Sequence, residues 1–138
     1  MTDPRDTSRL AVPANTPWES TIAYSRAVRI GSYVAASQTS AVDASGQIAG
    51  GSDPFKQAVR ALANLEAGLR AAGARLEDVI RTRIYLARFD DLEAVTRAHA
   101  KVFGTIRPAI TILTCTMVDP AILVEFDADA VIVDEQEG

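Results

Sequence analysis

Little in this 138-residue sequence can serve as a cross-link or as a metal ligand. It contains one cysteine, Cys115, and one histidine, His99. A disulfide within the chain and a cysteine-rich zinc site are therefore both excluded. A single histidine without neighbouring ligands does not make a metal site either. We accordingly expect a protein with no metal and no cofactor.

Long apolar runs and an excess of basic charge are also missing. No apolar segment approaches the ~20 residues that a membrane-spanning helix needs, and the first residues carry charges where a signal peptide needs an apolar core. Fourteen Lys and Arg against 18 Asp and Glu give a net charge of −4. This charge argues against sequence-independent binding to the phosphates of nucleic acids. We expect a cytoplasmic protein that binds neither membranes nor nucleic acids.

The length and composition suit one compact globular domain. Hydrophobic residues make up 48% of the chain and charged residues 23%, which are ordinary values for such a domain. Residues 1–17 contain three prolines and many polar side chains, so we expect a flexible N-terminal arm there. Residues 18–134 then form the domain, and residues 135–138 form a short C-terminal tail.

Hydrophobic patterning predicts the element order β-β-α-β-α-β-β. One helix begins at Pro54, with Ser52 or Asp53 as its N-cap, and ends at Gly73. A second helix begins near Asp90 and Asp91 and ends at Gly104. The predicted strands are 22–30, 33–39, 79–86, 109–118 and 123–133. This order predicts an α+β fold, with two helices on one face of a mixed sheet.

The last predicted strand places acidic side chains on one face of that sheet. Glu125, Asp127 and Asp129 alternate with apolar residues, as Arg81 and Arg83 do on an earlier strand. If these strands are neighbours, the acids and arginines form a ladder of cross-strand ion pairs. Such a polar face is either solvated or packed against another subunit.

Several segments together resemble the RidA/YjgF family, also called the Rid or L-PSP family. They are YSRAVRIG, Ser37-Gln38-Thr39, NLEAGLRAAGARLEDVIRTRIYL, FGTIRPA and DPAILVEFDADAV, and they cover about residues 20–133. The resemblance implies a chorismate mutase-like homotrimer, whose three sheets form a central barrel with the helices outside. It also implies small-molecule binding in clefts between subunits, and a deaminase-type hydrolysis of enamines or imines such as 2-aminoacrylate.

The arginine that binds the substrate carboxylate in such deaminases follows a Pro-Ala pair. Here the chain reads Arg107-Pro108-Ala109-Ile110, so Ile110 occupies the arginine's place. An isoleucine donates no hydrogen bond, and the two charged hydrogen bonds of a guanidinium contribute roughly 1.5–3 kcal/mol each. Their loss lowers carboxylate affinity by about two to four powers of ten, which argues against the usual 2-aminoacrylate activity.

Other positions of the family's site are partly kept. By resemblance, Tyr24, Ser37 and Glu125 are the candidate catalytic residues, with Glu125 positioning a water that attacks the imine carbon. A glycine of the family's motif is replaced by Gln38, and an asparagine of the second helix is replaced by Thr96, which we regard as a candidate ligand contact. Burial of Glu125 would raise the pKa of its carboxyl group.

Further candidate ligand contacts are Arg107, at the expected rim of the cleft, together with His99 and Cys115. His99 also fits the apolar stripe of the second helix, and Cys115 also fits a small buried apolar residue. Arg26, Arg83 or Arg107 could replace the missing arginine, or could instead pair with acidic side chains.

Two classes of function remain open. One is an enzyme acting on an enamine or imine without the usual carboxylate clamp. The other is a non-catalytic small-molecule-binding or interaction module of the same fold. The ribonuclease activity that the family's older names suggest is disfavoured by the net negative charge.

Overall fold

The computed structural model describes residues 8–133 and contains one six-stranded sheet. The strands are β1 (Arg9–Val12), β2 (Ala27–Ile30), β3 (Tyr33–Thr39), β4 (Val79–Leu86), β5 (Ala109–Thr114) and β6 (Val124–Val131), and the helices are α1 (Glu19–Ile22), α2 (Pro54–Ala71) and α3 (Leu92–Phe103). Across the sheet the strands follow the order β1-β2-β3-β6-β4-β5. Only the β4–β5 pair is parallel, so the predicted α+β fold with a mixed sheet is confirmed.

Helix α2 begins where the sequence predicts. The Asp53 side chain accepts hydrogen bonds from the backbone N–H groups of Phe55 and Lys56, at 3.0 and 3.2 Å. Asp53, rather than Ser52, is therefore the N-cap. Pro54 follows at the first position of the helix, where a backbone N–H would have no partner, so the missing N–H of proline costs nothing there. The buried face of α2 includes Leu62, Leu65 and Leu69.

Helix α3 begins differently from the prediction. A short 3₁₀ turn, Phe89–Asp91, precedes it, and the Asp91 side chain makes no capping hydrogen bond. Asp91 instead accepts from the guanidinium of Arg88 at 2.8 Å. Gly104 follows the last turn as predicted.

The hydrophobic core lies between the two long helices and one face of the sheet. Strand β6 supplies every second side chain to it, and these are Val124, Phe126, Ala128 and Ala130, each at most 1% exposed. Both long helices cover this face, because buried residues of α2 and α3 belong to the same cluster. The opposite face carries the acidic residues of β6.

Several predicted boundaries are wrong. Within the predicted flexible arm, residues 9–12 form strand β1, which pairs with β2 and buries Val12. The predicted strand 22–30 begins only at Ala27, because residues 19–22 form the short helix α1. The strand predicted to reach residue 118 ends at Thr114, and the last strand covers 124–131 rather than 123–133.

Some expectations fall outside what the structure describes. Residues 1–7 of the predicted arm and the predicted tail, 135–138, lie beyond residues 8–133. Within that range, every helix is too short or too polar to cross a lipid bilayer.

Candidate functional site

A polar network covers the sheet face opposite the helices. The Arg83 guanidinium donates to Asp127 at 3.0 Å and to Asp129 at 3.2 Å, and the Tyr85 hydroxyl donates to the other Asp127 oxygen at 2.6 Å. Burial, followed by the hydrogen bond to Asp127, raises the pKa of Tyr85 to about 12. The predicted cross-strand ion pairs between the β4 arginines and the β6 acids are therefore confirmed at Arg83.

Glu125 lies on the same polar face of the sheet, near the start of β6. Its Oε1 atom accepts a hydrogen bond from the Gln38 amide at 2.6 Å. Burial raises the pKa of the Glu125 carboxyl group, while the Gln38 hydrogen bond and the charge of Arg26 act in the opposite direction. A half-buried carboxylate with a raised pKa can accept a proton from water more readily than an exposed one.

The hydroxyl groups of Tyr24 and Ser37 are held locally. The Ser37 Oγ atom donates to the backbone carbonyl of Ser25 at 2.6 Å, and the Tyr24 hydroxyl shares a 2.7 Å hydrogen bond with Thr16. Within residues 8–133 neither hydroxyl hydrogen-bonds to Glu125. Their catalytic role stays a prediction.

Ile110 lies on the opposite side of the sheet from Glu125. In the parallel register it stands beside Thr82, whose hydroxyl hydrogen-bonds to His99 of α3, so Ile110 is on the helix side. Glu125 stands beside Tyr85 on the other side. Ile110 is 45% exposed on the edge strand β5. One copy of the chain therefore does not bring Ile110 and Glu125 into a common pocket.

Two other predicted ligand contacts are on the same half of the fold as Ile110. Arg107 is exposed in the turn before β5, with a positive φ of 57°. Thr96 is half-buried on α3, and its hydroxyl donates to the carbonyl of Leu92 at 2.8 Å. Contact of either residue with a ligand stays a prediction.

The structure removes His99 from the candidate site. Its Nε2 atom lies 2.9 Å from the buried Thr82 hydroxyl, and its ring packs 4.7 Å from that of Phe103. Burial lowers the pKa of the imidazole. His99 is thus a hydrogen-bonded core residue between α3 and the sheet, and the prediction that it contacts a ligand is corrected.

Cys115 lies just after β5 and is half-buried. Its backbone N–H donates to the carbonyl of Leu86 at 2.9 Å, and its Sγ atom is 4.0 Å from the sulfur of Met117. The residue is thus less buried than a core cysteine. Its role as a ligand contact stays a prediction.

Comparison with known proteins matches this architecture to one family. A family model described as Endoribonuclease L-PSP matches residues 14–132. The structure of Rv2704 from Mycobacterium tuberculosis, described as a member of the YjgF/YER057c/UK114 family, is 39% identical and superposes with a TM-score of 0.81, over 91% of this chain and 100% of that one. The chain belongs to the YjgF/L-PSP family.

Curated relatives agree with this placement. An uncharacterized Streptomyces coelicolor protein, SCO2049, is 33% identical over 120 residues, covering 86% of this chain and 89% of its own length. A RutC family protein from Pyrococcus abyssi is 29% identical over 108 residues, covering 78% and 84%. The YjgF/L-PSP resemblance inferred from the sequence is thus confirmed.

One residue of the site was not recognised from the YjgF/L-PSP resemblance alone. Gln38 stands where the family's motif has glycine, and from the sequence its side chain was assigned no contact. In the structure its side chain is the hydrogen-bond partner of Glu125. The neighbouring residue Thr39 pairs with Phe126 across an irregular β3–β6 register, and this irregularity was not visible in the sequence.

Residues 8–133 contain no group of three or more His, Cys, Asp or Glu side chains placed to hold a metal ion.

Proposed function

We propose that this YjgF/L-PSP family member binds a small metabolite in clefts between copies of the chain and hydrolyses an enamine or imine that lacks a free carboxylate. The observation that carries the proposal is the half-buried Glu125, whose pKa is raised by burial. It lies on the polar side of a sheet whose edge strand exposes Ile110 on the other side.

The proposed reaction is addition of water to a C=N carbon. Glu125 accepts a proton from the attacking water, so that a C–O bond forms while the C=N π electrons move to nitrogen. The protonated Glu125 then returns the proton to the nitrogen, which gives a carbinolamine. Glu125 next takes the proton of the new hydroxyl group and passes it to the amine nitrogen, so that the C–N bond breaks as the C=O bond forms, and ammonia and a carbonyl compound are released. An enamine enters this sequence after tautomerising to its imine. No step needs a cofactor, because no electrons are exchanged with another molecule.

Assembly is part of this proposal, since Ile110 and Glu125 lie on opposite faces of one sheet. A homotrimer in which the β5 edge of one copy meets the polar face of the next would unite them. The exposed apolar side chains of β5, Ile110, Ile112 and Leu113, support such a contact, because a bare apolar edge strand tends to pair with another chain.

Ile110 would then determine which substrates fit. It offers an apolar wall where a guanidinium would bind a carboxylate bidentately. Substrates with an uncharged or apolar substituent at that position are therefore favoured over 2-aminoacrylate.

The first experiment measures ammonia release from enamines generated in situ from several amino acids, chosen to include esters or amides as well as free acids. We expect turnover of the uncharged substrates and its loss in Glu125→Gln. Glu66→Gln, a half-buried α2 residue that pairs with Arg70 and lies outside the proposed site, is the matched control and should keep the activity. Absence of release from every substrate would rule out the deaminase activity.

A second experiment restores the guanidinium with Ile110→Arg and assays 2-aminoacrylate. Gain of turnover would support an otherwise intact hydrolytic site. Val118→Arg, at a residue that is 96% exposed, controls for the added charge. Sedimentation of the native protein as a monomer at assay concentration would contradict the intersubunit cleft.

The alternative function is a binding module without chemistry. Gln38 favours it, because its amide already occupies one Glu125 oxygen at 2.6 Å, which competes with a positioned water. A thermal-shift screen that finds stabilising metabolites, combined with no turnover of any of them by native protein or Gln38→Gly, would support this alternative.

A further inference from the structure

A cavity of about 580 Å³ lies outside the residues of the proposed hydrolytic site. It is bounded by the segment between β1 and α1, by the loop after β3, and by the outer part of α2. Pockets that hold small molecules typically measure about 300–1,000 Å³. The size of this cavity therefore suits a ligand of metabolite dimensions.

The segment before α1 is fixed by specific hydrogen bonds. The backbone N–H of Asn15 donates to the Glu19 carboxylate at 2.8 Å, and the Thr16 hydroxyl shares its 2.7 Å hydrogen bond with Tyr24. Asn15 has a positive φ of 58°, a conformation that asparagine tolerates better than most residues. The segment before α1, which forms one wall of the cavity, is thus held in place by hydrogen bonds between residues close to it in the sequence.

The loop after β3 is held to α2 by one side chain. The Asn64 amide donates to the carbonyls of Ser40 and Val42, at 2.9 and 2.7 Å. In the same loop, one oxygen of Asp43 accepts hydrogen bonds from the backbone and hydroxyl of Ser45. The second wall is therefore also fixed.

Two arginines contribute positive charge to the cavity. Arg26 passes over Gly68, where a Cβ atom would lie 2.9 Å from the Arg26 Cγ, and its Nη1 donates to the Thr39 hydroxyl at 3.0 Å. The Nε of Arg60 donates to Asn64 at 3.1 Å. Each guanidinium has five donor hydrogens, so most of them remain available.

Arg26 and Arg60 have no acidic partner within 4 Å among residues 8–133. Three other arginines do form ion pairs, namely Arg70, Arg83 and Arg88. The acidic residue in the cavity lining, Asp43, accepts its hydrogen bonds from its own loop, and the charge of Arg60 also helps to lower its pKa. Arg26 acts on the pKa of Glu125 through its charge, without an ion pair within 4 Å among residues 8–133. Two guanidinium groups beside one such carboxylate leave an excess of positive charge. An arginine with free donors in a cavity is suited to a carboxylate.

The remaining walls are largely apolar and include Val12, Pro13 and Trp18. An anionic head near the arginines and an apolar body against these side chains would satisfy both parts of the lining. We propose that this cavity is a binding site for a small organic monoanion, namely a carboxylate carrying an aromatic or short aliphatic group. The proposal does not depend on the hydrolytic activity.

Trp18 is the only tryptophan in the chain, so its fluorescence reports on this cavity. The probes are phenylacetate, benzoate and hexanoate, each paired with its uncharged amide. We expect saturable fluorescence changes with carboxylates at millimolar or lower concentration, and at least tenfold weaker binding of the amides. Arg60→Gln should weaken carboxylate binding at least tenfold, whereas Arg70→Gln, on the same helix but outside the cavity, should change it less than twofold.

Gly68→Ala separates binding from folding. Alanine raises helix propensity, but its methyl group displaces the Arg26 side chain. We expect a folded protein, as judged by circular dichroism, with at least tenfold weaker carboxylate binding. The proposal is overturned if no carboxylate gives a saturable change, if the amides bind equally well, or if folded Arg60→Gln and Gly68→Ala variants both bind as tightly as the native protein.

Discussion

Replacing His99 by leucine tests the conclusion that this histidine is a core residue. The substitution keeps an apolar side chain between α3 and the sheet but removes the partner of the Thr82 hydroxyl, which is fully buried. An unpaired buried hydroxyl costs about 1–3 kcal/mol, and loss of the ring contact with Phe103 adds about 0.5–1.5 kcal/mol. We expect His99→Leu to lower the free energy of unfolding by about 2–4 kcal/mol.

A double-mutant cycle separates the hydrogen bond from packing. Thr82→Val keeps the β-branched shape in β4 and removes the hydroxyl, so in the double variant no hydroxyl is left unpaired. The double variant should therefore be no less stable than His99→Leu alone. Urea denaturation at neutral pH gives each free energy of unfolding. Strictly additive effects of the two substitutions would refute the reasoning, because they would show no coupling between the side chains.

The same contact predicts a pH dependence of stability. Burial lowers the pKa of His99 in the folded state, so at acidic pH the unfolded chain binds the proton more readily than the folded one. Stability should be constant above about pH 6.5 and should fall as the pH drops from there through the pKa of the folded state. His99→Leu should lack this fall, and measuring both proteins with Glu125→Gln removes the opposite contribution of the raised Glu125 pKa.

Three further substitutions test other contacts. Burial is the largest cause of the raised Tyr85 pKa and the Asp127 carboxylate the next, so Asp127→Asn should lower that pKa from about 12 but leave it above the ordinary value, seen as tyrosinate absorbance at lower pH; an unchanged titration would contradict the contribution of the carboxylate. Gln57→Leu leaves two backbone carbonyls and one N–H without their amide partner and should cost about 2–4 kcal/mol in urea denaturation; a loss below about 1 kcal/mol would contradict this. Phe126→Ala, at a fully buried site, should cost about 3–5 kcal/mol by the same method, and a smaller loss would mean that the core relaxes around the cavity.

Features that depend on neighbouring residues were predictable from the sequence. The Asp53-Pro54 start of α2 is one such feature, because capping involves the next three residues only. The alternation in β6 likewise separates the acidic from the apolar face without knowledge of the neighbouring strands. The family resemblance in addition predicted the overall fold.

Features that depend on strand order were not predictable in this way. Alternation alone does not tell which face of the sheet Ile110 shares with residues of other strands, because that depends on the parallel β4–β5 register. The contact between Gln38 and Glu125 depends on the irregular β3–β6 register. The strand 9–12 was missed because its proline-rich surroundings resemble a loop, and its pairing with β2 is a tertiary contact.

The place of β6 in the sheet has a consequence for synthesis on the ribosome. Residues 124–131 emerge after every other strand of the described chain, yet they join β3 to β4. Until they emerge, the nascent chain holds a β1–β3 meander and a β4–β5 pair with two open inner edges, and such edges are prone to wrong pairing. A ribosome stalled before residue 124 would therefore present an incomplete sheet to chaperones, whereas release of the last eight strand residues would supply the strand that joins its two parts.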